Sequence, residues 1–88
     1  MQSKNKKAPT AAEARHIALV KEMDCIVCGA KGPSDAHEPE QGMWWIAIPL
    51  CKLCHTGPKG FHGTRDRWKL RKMSELKAIN LTWEALSK

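Results

Sequence analysis

Residues 25–55 read CIVCGAKGPSDAHEPEQGMWWIAIPLCKLCH, and they begin and end on the same device, two cysteines separated by two residues. Two intervening residues let one tight turn offer both sulfurs to a single ion, and Zn2+ takes four such ligands in a tetrahedron. Cys25, Cys28, Cys51 and Cys54 therefore read as a structural zinc site, with the segment between the pairs forming a hairpin that brings the two turns together. A redox dithiol is the competing reading. It is disfavoured by the doubling of the motif and by the lack of a βαβ pattern around either copy.

The rest of the chain shows why a staple is needed. A chain of 88 residues buries only about 60–65 % of the surface its unfolded form exposes, so its apolar core is marginal without a metal or disulfides. The N-terminus, MQSKNKKAPTAAEA, has no apolar core and does not read as a signal peptide. No apolar run reaches membrane-spanning length. Reduced thiols in a cytoplasmic setting are metal ligands more readily than disulfide partners. The expected location is the cytoplasm of a bacterial host, with no membrane partner and no small-molecule substrate.

Working outward from the zinc motif, residues 1–8 read as a disordered basic tail and 9–88 as one domain. Thr10 followed by Glu13 predicts a capping box and a helix over about 10–22, with Ile17 and Val20 on its apolar face and Leu19 and Met23 widening it. Residues 34–38 are a strand candidate. Pro39-Glu40-Gln41-Gly42 is a turn, and Trp44–Ile48 is the second strand, ended by Pro49. One of Trp44 and Trp45 then faces inward and the other outward. Beyond the glycine-rich loop HTGPKGFHG, Thr64 is expected to cap a helix that buries Trp68, Met73, Leu76 and Ile79. Ser74 with Glu75 allows a restart near Met73. Asn80 is expected to end that helix, and Thr82 to begin a last turn with Trp83 and Leu86; Trp68 and Trp83 read as core.

Fifteen basic residues against nine acidic ones give a formal charge of +6. Most of the excess lies in one stretch, where Lys52, Lys59, Arg65, Arg67, Lys69, Arg71 and Lys72 face the single acid Asp66. A solvated helix face accounts for such a run, and so does a polyanionic partner.

Three histidines remain around the zinc frame once the cysteines close the tetrahedron: His37 in the hairpin, His55 directly after Cys54, and His62 in the glycine-rich loop. His16, in the first helix, reads as an ordinary surface or core residue. Imidazoles converging on one open-sided ion make a second site, suited to borderline divalent metals. In the order CIVCG…DAH…IPLCKLCH…FHG the chain resembles the HNH, or ββα-metal, endonucleases, and most of all their small cysteine-bound branch in phage genomes. The resemblance covers about Cys25 to Ile79. It implies an α+β fold, a small zinc-stapled ββα-metal domain with an N-terminal helix and C-terminal helices. It also implies a catalytic divalent ion (Mg2+, Mn2+, Ni2+ or Zn2+) held by His37, His55 and His62, and DNA as substrate. Lys59, Arg65, Arg67, Lys69, Arg71 and Lys72 are then candidates for gripping phosphates.

The chain departs from that pattern at one position. Where the family commonly carries a second histidine as general base, this sequence has Glu38. Three readings follow: Glu38 is the base, His37 is the base and Glu38 a ligand, or the hydrolytic centre is weakened. The alternative function is a non-catalytic zinc-bound nucleic-acid-binding module.

Overall fold

The computed structural model describes residues 8–88; the tail read over 1–8 lies outside them except for Ala8, which is exposed. Helix α1 spans Ala11–Glu22. Thr10 Oγ1 accepts from the Glu13 N–H at 3.1 Å while Glu13 Oε1 accepts from the Thr10 N–H at 2.8 Å, so the capping box is formed. Val20 and His16 are its buried residues, whereas Leu19 is 54 % exposed and does not widen the apolar face. At the far end, the Ser34 N–H donates to Lys21 O and Ser34 Oγ to Met23 O, satisfying helix-terminal carbonyls and aiming the chain at the sheet.

The sheet has two strands, β1 (Asp35–His37) and β2 (Ile48–Leu50), paired antiparallel with Asp35 opposite Leu50 and His37 opposite Ile48. The second strand is shifted from its expected place. Trp44–Ile46 form a turn of 3-10 helix instead, and Pro49 lies within β2 rather than ending it. The proline is tolerated because residue 49 turns its backbone polar groups away from β1. Its carbonyl accepts from the Ile26 N–H at 3.0 Å, on the edge where its missing N–H costs no ladder bond. That bond also ties the first cysteine turn to the strand leading to the second pair.

All three residues of β2 are buried, with α1 on it together with α2 (Lys52–His55) and α4 (Glu75–Leu86). A strand covered on both faces has no polar side, so IPL shows no alternation. The core gathers Val27, Ile48, Leu50, Trp68 and Ala78 around Cys25 and Cys54. The sulfur cluster is thus part of the core.

Helix α3 is short, Asp66–Leu70, and its N-cap is Arg65 in the left-handed region at φ 65°, not Thr64. The chain breaks at Arg71–Met73 and restarts where Ser74 Oγ accepts from the Lys77 N–H at 3.1 Å. From there α4 runs through Asn80 without interruption. Asparagine is only a mild helix breaker, and the face that follows is packed: Thr82 is buried and its Oγ1 donates to Ala78 O at 2.8 Å. Leu76 lies on the opposite side of the helix from Ala78 and Thr82, so it is 80 % exposed rather than core.

Trp68 is buried as expected and Trp45 is the outward member of its pair, but Trp83 is exposed rather than core. Trp83 Nε1 donates to Trp45 O at 3.1 Å, with His16 stacked on Trp83 at 4.8 Å between ring centres.

Candidate metal centres

Four free cysteines meet where the two turns converge, and their sulfurs all lie within 4.8 Å of one another. Cys28 Sγ and Cys51 Sγ are 3.7 Å apart. A tetrahedron with Zn–S of about 2.3 Å has S···S edges of roughly 3.8 Å, so the cluster has the dimensions of a structural site for an ion such as zinc. Electrostatics agree with that use. Burial works against a thiolate at Cys28, but the Ala30 N–H and the neighbouring thiols outweigh it and bring this group down to about 6. Burial pushes Cys54 up to about 12, the Arg67 guanidinium acting against it, and raises Cys51 as well. The cluster therefore sets one easily formed thiolate, Cys28, against two reluctant thiols, Cys51 and Cys54, and metal binding must expel their protons.

Two arginines of the basic stretch are committed to this frame. Arg67 Nε donates to Cys54 Sγ at 3.3 Å, and Arg71 Nη1 reaches Val27 O at 3.4 Å. Trp68 Nε1 donates to Cys54 O at 2.8 Å from the buried side. Lys59, Lys69 and Lys72 are exposed, as is Arg65.

The histidines form the second group. His37, His55 and His62 each offer a ring nitrogen, and these atoms all lie within 4.8 Å of one another. Main-chain bonds create the convergence. Pairing of β1 with β2 sets His37 beside the strand that leads into Cys51. The loop after α2 then folds back, with the Phe61 N–H on Cys54 O at 2.8 Å and the His62 N–H on His55 O at 3.0 Å, laying one imidazole near the other. The rings of His55 and His62 are 4.9 Å apart, and both lie within 5.4 Å of His37. Nitrogens around a tetrahedral ion at about 2.1 Å stand roughly 3.4 Å apart, within the 4.8 Å limit that these three atoms share. Three imidazoles suit a borderline divalent cation, so the donor set fits one.

Two carboxylates stand behind these rings. Asp35 Oδ2 accepts from His55 Nδ1 at 3.0 Å, while its other oxygen accepts from Lys52 Nζ at 2.8 Å. The Lys52 ammonium and then His55 hold this carboxyl below its ordinary range. Glu75, the first residue of α4, accepts from His37 Nε2 at 2.9 Å. Each carboxylate fixes a tautomer, leaving His55 Nε2 and His37 Nδ1 with lone pairs to offer a metal. Burial lowers the His37 pKa and the nearby His55 and His62 act the same way, against the opposing pull of Glu75, so the ring is held neutral.

Asp35 and Glu75 are missing from the residues read as functional. Asp35 carried a signal: it stands two positions from His37, on the same face of a strand. Glu75 carried none, because 38 positions separate it from the ring it touches.

Glu38 follows β1 and lines a cavity of about 290 Å³ together with His37, His55 and His62. Its Oε1 accepts from the Gly42 N–H at 3.1 Å, and Gly42 sits at φ 87°, where a side chain would be strained. The Glu38 carboxylate is thus steadied by the turn at the cavity's edge.

The fold and these centres define a small α+β domain with a two-stranded sheet and a four-cysteine cluster compatible with a structural metal ion such as zinc. Among the described residues no helix is long and apolar enough to cross a membrane. No protein-family model, curated protein or solved structure matches the chain.

Proposed function

We propose that the chain is a metal-dependent HNH-type endonuclease that hydrolyses phosphodiester bonds in DNA. The observation that carries the reading is the convergence of His37, His55 and His62, two of them backed by carboxylates, at the edge of a hairpin whose ends carry the cysteine pairs. His37, His55 and His62 would hold the ion. When bound, it supplies Lewis-acid stabilisation of the charge that develops on the phosphoryl and leaving oxygens.

The protein's own groups divide the remaining work. Asp35 and Glu75 hold two of the rings in the tautomers that a ligand needs. With His37 Nε2 engaged by Glu75, Glu38 is the better candidate to take the proton from the attacking water. Its carboxylate lines the cavity, and the bond from Gly42 orients it. A carboxylate is a weaker base than the imidazole common at this position, which predicts slow turnover. Arg65, Lys59, Lys69 and Lys72 attract the phosphate backbone without reading sequence.

The test is incubation of supercoiled plasmid with zinc-loaded protein and Mg2+, Mn2+ or Ni2+. Nicking is expected, and is lost in His55→Ala and His62→Ala. Salt-sensitive DNA binding without nicking by any metal would establish the non-catalytic module instead.

A further inference from the structure

Arg65 is an exposed cation that the fold nevertheless holds still. Its backbone sits in the left-handed region at φ 65°, a conformation a non-glycine side chain keeps only when its surroundings insist. The surroundings do insist. Its N–H donates to Gly60 O at 3.0 Å, and its carbonyl accepts from the Lys69 N–H at 2.9 Å. Its Nε donates to Phe61 O at 2.9 Å, and the guanidinium carbon lies 3.8 Å from the centre of the Phe61 ring.

That anchoring occupies Nε and one face of the guanidinium. The two terminal nitrogens have no acidic partner among the described residues. Phe61 is also the neighbour of the histidine centre, its ring 4.6 Å from His37 and 5.3 Å from His62. The guanidinium is therefore one aromatic ring away from the imidazoles. Arg65 also lines a cleft of about 260 Å³ with Lys69, the apolar side chains of Phe61, Trp68 and Met73, and Ser74 and Glu75. A strand leaving the histidine centre in this direction meets the cations Arg65 and Lys69, apolar surface, and the Glu75 carboxylate, one oxygen of which is engaged by His37.

We infer that Arg65 is a fixed clamp for the phosphate next to the one being cut, with the α3–α4 cleft as the path of the strand beyond it. The inference rests on the nuclease reading and adds to it a defined contact on one side of the scissile bond. A planar fork whose terminal nitrogens have no acidic partner among the described residues matches two phosphate oxygens at once, which a lysine cannot do. Because the side chain is already ordered, little rotamer entropy is lost on contact. Arg67 and Arg71, bound to the cysteine frame, are not part of this clamp.

The experiment uses short end-labelled duplexes, each carrying one neutral methylphosphonate linkage, and reads the ladder of cuts. In the wild type, the bond on one side of the neutral linkage should be cut roughly tenfold less than in the all-phosphate duplex, the size of one charge-assisted contact. In Arg65→Ala that local suppression should disappear, whatever the overall rate, and in Arg65→Lys it should shrink severalfold. Lys72→Ala should keep it. Each value is a ratio within one preparation, so partial loss of stability cancels; Arg65→Lys serves if Arg65→Ala fails to fold. Suppression that persists undiminished in the Arg65 variants, or that vanishes in Lys72→Ala, overturns the clamp. A wild type that cuts nothing removes the nuclease reading and the clamp with it, a separate result from a ladder with no Arg65-dependent gap.

Discussion

Glu75 offers the sharpest test of the histidine centre, because it acts on His37 from another element. The His37 side chain is only 5 % exposed and that of Glu75 31 %. In Glu75→Ala the Nε2 proton loses its acceptor at 2.9 Å, in a place where water has little access to the ring. An unsatisfied buried N–H costs about 1–3 kcal/mol; the part-exposed carboxylate and some readmitted water favour the lower half, about 1–2 kcal/mol. For a domain of this size that is roughly 4–8 °C in melting temperature per kcal/mol. The ring is also released to turn or to change tautomer, and removal of such a partner from a metal-binding histidine typically lowers affinity about 10–100-fold. Glu75→Gln separates the two effects, since its amide oxygen still accepts from Nε2–H and should keep affinity within about fivefold. The assay is calorimetric titration of zinc-loaded protein with Ni2+, alongside thermal melts. Equal Ni2+ affinity in wild type and Glu75→Ala would refute the claim that this carboxylate prepares the ring for a metal.

Three further outcomes follow from the geometry. A strong chelator should unfold the domain, with loss of helical circular dichroism, since metal binding in small cysteine sites supplies on the order of 10 kcal/mol; Cys51→Ser should do the same, and a chelated protein that stays folded would contradict the role given to the cluster. Acid should weaken the zinc-loaded domain in two stages. His37 and Asp35 both have folded pKa values below their unfolded ones, so the unfolded chain binds more protons as pH falls, first below about 6.5 and then below about 4. Both contributions are present above those values and lost beneath them, and denaturant midpoints of His37→Gln between pH 5 and 7 should lack the upper stage. Gly60→Ala should cost about 1–3 kcal/mol, read in denaturant melts, because a Cβ there would lie 2.6 Å from Leu53 O and 2.8 Å from the Cys54 carbonyl carbon; a neutral result would mean that the loop carrying His62 is not clamped to α2.

Local chemistry made several features legible in the primary structure. Thr10 with Glu13 wrote the start of α1, and the two C-x2-C turns wrote the sulfur ligands, because the cap and each pair depend on groups a few residues apart. The wish of three histidines to meet could be suspected from their positions around that frame. Features decided by distant contacts could not be read this way. Pro49 entered β2 because its carbonyl faces Ile26, and α4 ran past Asn80 because Ala78 and Thr82 are buried. Arg67 and Arg65 stand two positions apart in one basic run, yet one is bound to a cysteine sulfur and the other lies over Phe61 beside the histidines.

Residue types and short spacings therefore specified which ligands the chain owns. Tertiary packing alone decided how those ligands are backed and which cations remain open. A hydrogen bond such as Glu75 to His37 needs its partners within about 3 Å, and only the folding of α4 against the sheet brings together groups that the chain keeps far apart.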